Sequence, residues 1–336
     1  MFSQLTYGAI SADITSNCNL RCPFCLNDWR NIRGNTNISD ETFSKLIELI
    51  PLAMAGSFFL SCLFEPTIHP DFVRLIQRIP SSGRSKVFFT TNLARRLPIE
   101  TFQALSESNI HHINISVESL EPSIYEELRR GARFGTFMDN LEDLASVFGK
   151  NPTAPRIRYV SMVFQQNLSG LEDLVSACHE NYLAEFHELR TPFRCASPCM
   201  GEEWIGQSAI SEKEWGELVK AFSKLPFPTT LYNQVALEHR LLNRLLNPSE
   251  APQIPNLFTQ LPKRWIRVNS DGTTFLPWTK KRYEIHNINE IQNPHMFFKR
   301  KLYRVYDVAT WPRWRDALWC YSRATVGLLS SGRRLE

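Results

Sequence analysis

Six runs of strand length, five of them largely apolar, each followed by a stretch with helical spacing, constrain the fold of this chain more than any other feature. The runs are Ala9 to Thr15, Ser57 to Leu63, Val87 to Asn92, Ile113 to Val117, Ile157 to Phe164 and Glu185 to Arg190. Ser39-Asp40-Glu41-Thr42 is a helix-start signal, and Phe43, Leu46, Ile47 and Ile50 follow at helical spacing until Pro51 stops the helix. Pro70 with Asp71 opens a second helix carried by Phe72, Leu75, Ile76 and Ile79. Helices are also expected over 98–107, 121–130, 136–148 and 171–180. Such α/β alternation implies a parallel sheet with right-handed crossovers. Six repeats are too few for a closed eight-stranded barrel, and a flat doubly wound sheet is the alternative. Both place their chemistry at the C-terminal ends of the strands.

The loop leaving the first run is where reactive residues are densest. Cys18-Asn19-Leu20-Arg21-Cys22-Pro23-Phe24-Cys25 reads C-x3-C-x2-C. A zinc site wants four ligands, usually as two separated pairs, and no second pair with matching spacing follows. Soft thiolates on one short loop suit a [4Fe-4S] cluster better, with Cys18, Cys22 and Cys25 as metal ligands and one iron open to a small molecule. The rival reading is three cysteines clustered by chance in a reduced protein. The chain has eight Cys, and this clustering argues for thiols kept reduced in a cytoplasm rather than a disulfide scaffold. No apolar run reaches the roughly 18 residues a membrane span needs, and the N-terminus lacks a charged stretch followed by an apolar one. A cytoplasmic protein with no membrane partner is therefore expected.

Beyond Arg190 the texture changes. Residues 191–208 hold Pro, Gly, Arg and two Cys, and read as a loop. A helix over 211–224 opens at Ser211-Glu212-Lys213-Glu214 and carries Trp215, Leu218, Val219 and Phe222 on one face. Residues 245–262 are rich in Pro and Asn, and Trp265 to Leu276 reads as a hairpin around Asp271-Gly272. The expected division is 1–195 for the sheet domain and 196–336 for a smaller α+β extension. Residues 262–336 carry fifteen Lys and Arg against six Asp and Glu, although the whole chain is only +4. One reading of this tail is a solvated surface, with basic stems lying over aromatic side chains. The other is a cap over the sheet's mouth that helps hold an anionic substrate. No nucleic-acid partner is expected, because no recognised module accompanies the charge.

The cysteine motif, with an aromatic before its last Cys, resembles the signature of the radical S-adenosylmethionine (radical SAM) superfamily. That resemblance implies a six-stranded partial (β/α)6 barrel, one [4Fe-4S] cluster and S-adenosylmethionine bound at the open iron, with Phe24 near the adenine. Cys62-Leu63-Phe64-Glu65-Pro66 resembles the family's Gly-Gly-Glu-Pro stretch with both glycines replaced, and implies Glu65 as partner of the methionine ammonium. By the same resemblance Ser116 and Glu118 would contact the ribose and the methionine carboxylate. Arg129 or Arg130 would aim at that carboxylate, and Asn92 and Asn167 fall at family-typical places. Glu188 and Arg190 share a strand face, as a structural ion pair or as contacts in the cavity.

The hairpin resembles the start of the family's SPASM or twitch extensions, yet Trp278 stands where their first Cys would be. Cys195, Cys199 and Cys320 are then candidate catalytic hydrogen donors, and a second cluster built from them is the alternative. The resemblance implies reductive cleavage of S-adenosylmethionine to a 5′-deoxyadenosyl radical, which takes a hydrogen atom from substrate. The expected substrate is a small molecule such as a sugar, nucleoside or phosphorylated intermediate, with an electron donor such as flavodoxin or ferredoxin. The alternatives are a peptide maturase using a separate recognition protein, and a non-catalytic iron–sulfur or RNA-binding protein.

Overall fold

The computed structural model describes residues 6–25, 27, 29–30, 36–61, 63–192, 202–232, 265–276 and 283–300. All six expected strands form: β1 (Ala9–Ala12), β2 (Phe58–Phe59), β3 (Val87–Thr91), β4 (His112–Ser116), β5 (Arg156–Met162) and β6 (Ala184–Arg190). So do the helices α1 (Asp40–Ile47), α2 (Phe72–Gln77), α3 (Ile99–Ser106), α4 (Pro122–Leu128), α5 (Phe134–Phe148) and α6 (Leu171–Asn181). The side chain of Ser39 caps α1 by accepting from the Thr42 N–H, as its start signal requires.

The run expected to continue as a strand to Leu63 ends early. Leu60 still donates its N–H to the Phe88 carbonyl at 2.7 Å, but the Ser61 hydroxyl then bonds the Phe64 carbonyl and the backbone turns away. The segment read as a loop contains α7 (Glu202–Ser208). Trp204 anchors this helix against Phe164 and Phe24 by ring contacts, a tertiary cause that no helical period announces. Next comes α8 (Glu212–Phe222), with the Ser211–Glu214 capping box complete.

The C-terminal part adds four strands: β7 (Thr229–Tyr232), β8 (Trp265–Val268), β9 (Thr273–Leu276) and β10 (Tyr283–Asn287). The hairpin between β8 and β9 turns at Gly272, whose φ of +87° disfavours any residue with a Cβ. All ten strands form one sheet in the order β10-β9-β8-β1-β2-β3-β4-β5-β6-β7. The six-stranded core is therefore flanked by β7, parallel to β6, and by β8, parallel to β1. No local signal gives the second pairing, which joins Ala9 to Trp265.

Register divides the strands into two faces. Ile10, Phe58 and Val87 lie side by side on one face, and Phe89, Ile113 and Ile157 continue it, all buried. The other face carries Ser11, Phe59, Phe88, Asn114, Arg158, Glu188 and Arg190. It encloses a cavity of about 330 Å³ lined from β2 through β6. A lumen of this kind distinguishes a partial barrel from a flat sheet covered by helices on both faces. Among the described residues no helix is long and apolar enough to cross a membrane.

Candidate active site

The cysteine loop leaves the C-terminal end of β1 and docks on two neighbours. The Glu65 N–H donates to the Asn17 carbonyl at 3.0 Å, and the Arg21 N–H to the Arg130 carbonyl at 2.8 Å. Gly131, at φ +96°, lets the turn after α4 approach closely: a Cβ there would lie 3.3 Å from the Asn19 carbonyl. The Trp29 indole donates to the Cys22 carbonyl at 3.1 Å. Cys22 is buried, while Cys18 and Cys25 are half-buried. Burial pushes the thiols of Cys18 and Cys22 up to about 11, and Arg129 opposes that shift at Cys22.

Glu65 is a fully buried carboxylate held by neutral donors. Oε1 accepts from the Thr67 hydroxyl at 2.6 Å, the Thr91 hydroxyl at 2.7 Å and the Thr67 N–H at 3.2 Å. Among the described residues Oε2 accepts only the Asn92 N–H, at 2.7 Å, which leaves it room for one more donor. Burial pushes this carboxyl up, and the donors pull the other way. The Asn92 amide in turn reaches Asn19 Oδ1 at 3.1 Å and Cys18 Sγ at 3.8 Å, so Glu65, Asn92 and Cys18 form one connected group.

Across the loop, Glu118 is satisfied by a cation instead. Arg129 Nε meets its Oε2, and Nη2 meets Oε1 at 2.7 Å. The guanidinium lies over the Phe24 ring, 5.4 Å from its centroid. Burial disfavours the charge of Arg129, but Glu118 and Cys22 hold it protonated and raise its pKa overall. Phe24 packs on Phe164 at 5.0 Å, and Trp204 completes that aromatic wall. Arg130 is exposed and contributes its backbone carbonyl to the loop. Asn167 clamps the ends of β4 and β5: its amide donates to the carbonyls of Glu118 and Met162, and its Oδ1 accepts from the Phe164 N–H. Ser116 is buried at the end of β4. Glu188 and Arg190 pair at 3.0 Å and line the lumen below, so the ion pair and the cavity position hold together. Cys195, Cys199 and Cys320, and the basic triplet Lys280, Lys281 and Arg282, lie outside the described residues.

Two residues that sequence reasoning missed join the C-terminal part to this rim. Asp13, one step past β1, accepts the Leu63 N–H at 3.0 Å on Oδ1 and pairs with Arg267 of β8 through Oδ2. The Leu63 carbonyl accepts from the Asn27 amide, so the peptide that replaces a family glycine is pinned at both ends. An acid inside the apolar run after Ala9, in period with Ser11, was the available signal for Asp13.

The donor set fits a four-iron cluster. Among the described residues no three His, Cys, Asp or Glu side chains converge on a single metal-ion position. A cluster does not require that, because its three thiolates each bind a different iron. The Tyr125 hydroxyl, in the electrostatic neighbourhood of Cys22, Arg129 and Glu118, is buried without a hydrogen-bond partner among the described residues. An unmatched polar group beside the thiols suits a site that receives a group from outside.

Residues 13–176 match the family model of the Radical SAM superfamily. A GTP 3′,8-cyclase of Alkaliphilus metalliredigens is 26% identical over 274 residues, which is 80% of this chain and 79% of that protein. A GTP 3′,8-cyclase of Streptomyces coelicolor is 26% identical over 192 residues, and the match spans about half of each protein, 54% of both. Among solved structures, Streptococcus suis SuiB bound to S-adenosylmethionine superposes with a TM-score of 0.60 at 16% identity, covering 89% of this chain and 67% of that one. The anSMEcpe enzyme with bound AdoMet and a Cp18Cys peptide gives 0.56 at 15%, covering 88% and 82%. The motif, the parallel sheet that carries it and the family match agree: this chain is a radical SAM enzyme, of a superfamily whose members use a [4Fe-4S] cluster and S-adenosylmethionine.

Proposed function

We propose that this enzyme removes a hydrogen atom from a purine nucleotide or related phosphorylated small molecule held in the lumen beneath the cysteine loop. The observation that carries the reading is a pair of sites carried by one sheet. The thiols and Glu65 follow the C-terminal ends of β1 and β2, and the aromatic cavity with Arg158, Glu188 and Arg190 lies on the polar face of β2 to β6. Phe59, Phe88 and Phe186 offer faces for a planar base, and Arg158 and Arg190, which also pair with Glu185 and Glu188, are the cations of this wall that an anionic group would meet. The relatives' name, GTP 3′,8-cyclase, points to the same substrate class.

Cys18, Cys22 and Cys25 would hold the cluster, and Oε2 of Glu65 would take the methionine ammonium as its second donor. Phe24, Phe164 and Trp204 would exclude water from the adenine side. When bound, the cluster and S-adenosylmethionine supply a single electron and a hydrogen-abstracting radical. The protein's part is to orient substrate, to keep it dry and to receive the electron from a partner such as flavodoxin or ferredoxin.

The test uses cluster-loaded protein with GTP or ATP deuterated on the ribose, and reads deuterium in the 5′-deoxyadenosine formed. Transfer from one nucleotide, dependent on Arg158 and Arg190, is expected. Transfer only from a peptide, as the peptide-bound fold neighbours would have it, overturns the nucleotide reading. No transfer from any substrate, with no cleavage of S-adenosylmethionine, favours a non-catalytic role.

A further inference from the structure

Arg129 is a buried cation fixed against the cysteine loop on three sides. Its side chain is 11% exposed and that of its partner Glu118 is 0% exposed. Two parallel hydrogen bonds lock the guanidinium to that carboxylate, Phe24, between Cys22 and Cys25 in the loop, lies under its plane, and its positive charge acts on the Cys22 thiol. Backbone contacts hold the pair from behind: the Met162 N–H reaches Glu118 Oε1, and the Arg129 N–H bonds the Tyr125 carbonyl at 2.8 Å. An arginine held in this way has little freedom to swing toward an incoming carboxylate.

We propose that the Glu118–Arg129 pair sets the reduction potential of the cluster held by Cys22, with Arg129 favouring the reduced state and Glu118 fixing and damping its charge. This rests on the cluster reading above. Reduction adds one negative charge to a group already bound by thiolates. A fixed cation beside the ligating loop stabilises that extra charge, and a carboxylate behind the cation offsets part of the gain. The two partners therefore act with opposite sign, which a merely structural pair does not require.

The experiment is a dithionite redox titration of anaerobically reconstituted full-length protein, followed by the electron spin resonance of the reduced cluster. Iron content is measured first, so that a failed cluster reading shows as absent iron in the wild type. Arg129→Gln should shift the midpoint to more negative potential, Glu118→Gln to less negative, and Arg129→Lys should stay near the wild type. Should Arg129→Gln fold without loading iron, Glu118→Gln carries the sign test by itself. Unchanged midpoints in the fully loaded variants overturn the proposal. So does a loss of S-adenosylmethionine affinity in Arg129→Gln at an unchanged midpoint, which would make Arg129 a carboxylate ligand instead.

Discussion

Two buried carboxylates flank the cysteine loop, and the chain satisfies them in opposite ways. Glu65 is surrounded by hydroxyl and backbone donors, with burial pushing its carboxyl up and no cation beside it among the described residues, and one acceptor position is left on Oε2. Glu118 is neutralised by Arg129. A buried charge held by neutral donors alone still attracts a cation, whereas a paired one does not. The β2 side of the rim is thus built to receive a positive group, and the β4 side to hold its own electrostatics constant. Asp13 repeats the paired pattern with a guanidinium from the far end of the chain, Arg267.

The comparison breaks most visibly where a pair loses one partner. Arg267→Met leaves Asp13 buried at 5% side-chain exposure without its cation. It should destabilise the protein by about 3 kcal/mol, read as a lower midpoint in urea unfolding. A midpoint equal to the wild type would mean that β8 is a detachable cap. Glu65→Gln sharpens the contrast instead. It should weaken S-adenosylmethionine binding by roughly 10- to 150-fold, the worth of a charge-assisted hydrogen bond of about 1.5–3 kcal/mol, with the cluster's absorbance intact. Glu118→Gln should leave that affinity within a few fold. Equal losses in the two variants would erase the distinction between the carboxylates.

The sequence makes the repeating elements plain, because their periods of two and 3.6 are local. It also places Glu65, Glu118 and Arg129 near one another through the motifs that resemble the superfamily. It does not pair Glu118 with Arg129, since eleven residues and a helix separate them and the exposed Arg130 offers the same chemistry. It hides β7 as well. Thr229 to Tyr232 follows two prolines and alternates between half-buried and exposed, so its strand character comes from the free edge of β6. The three arginine-bearing strands, β8 that meets Asp13 and β5 and β6 that line the lumen, are legible as strands, but their partners are set by the barrel.

A pH-dependent effect tests the apolar face against the polar one. His187 lies on the buried outer face, its Nε2 2.8 Å from the Ser161 hydroxyl, and burial lowers its pKa to about 3 from the ordinary 6.5. Between these values the unfolded chain binds the extra proton, so His187 favours the fold fully above pH 6.5. That contribution falls away as pH drops toward 3, by up to roughly 1.4 kcal/mol per unit. Stability measured from pH 7 to 4 should decline less steeply in His187→Gln, and a parallel decline would place the acid sensitivity elsewhere. Smallest of all, Arg130→Ala should leave S-adenosylmethionine affinity unchanged, because its side chain faces solvent. A large loss would show that the exposed arginine meets the cofactor.

The most direct test of the account is S-adenosylmethionine cleavage by the anaerobic, iron- and sulfide-reconstituted protein under dithionite. The account predicts about four irons per chain, with methionine and 5′-deoxyadenosine formed in equal amounts. Neither iron nor cleavage should appear in the Cys18→Ala, Cys22→Ala, Cys25→Ala variant. A wild-type protein that carries its four irons and cleaves nothing would contradict it.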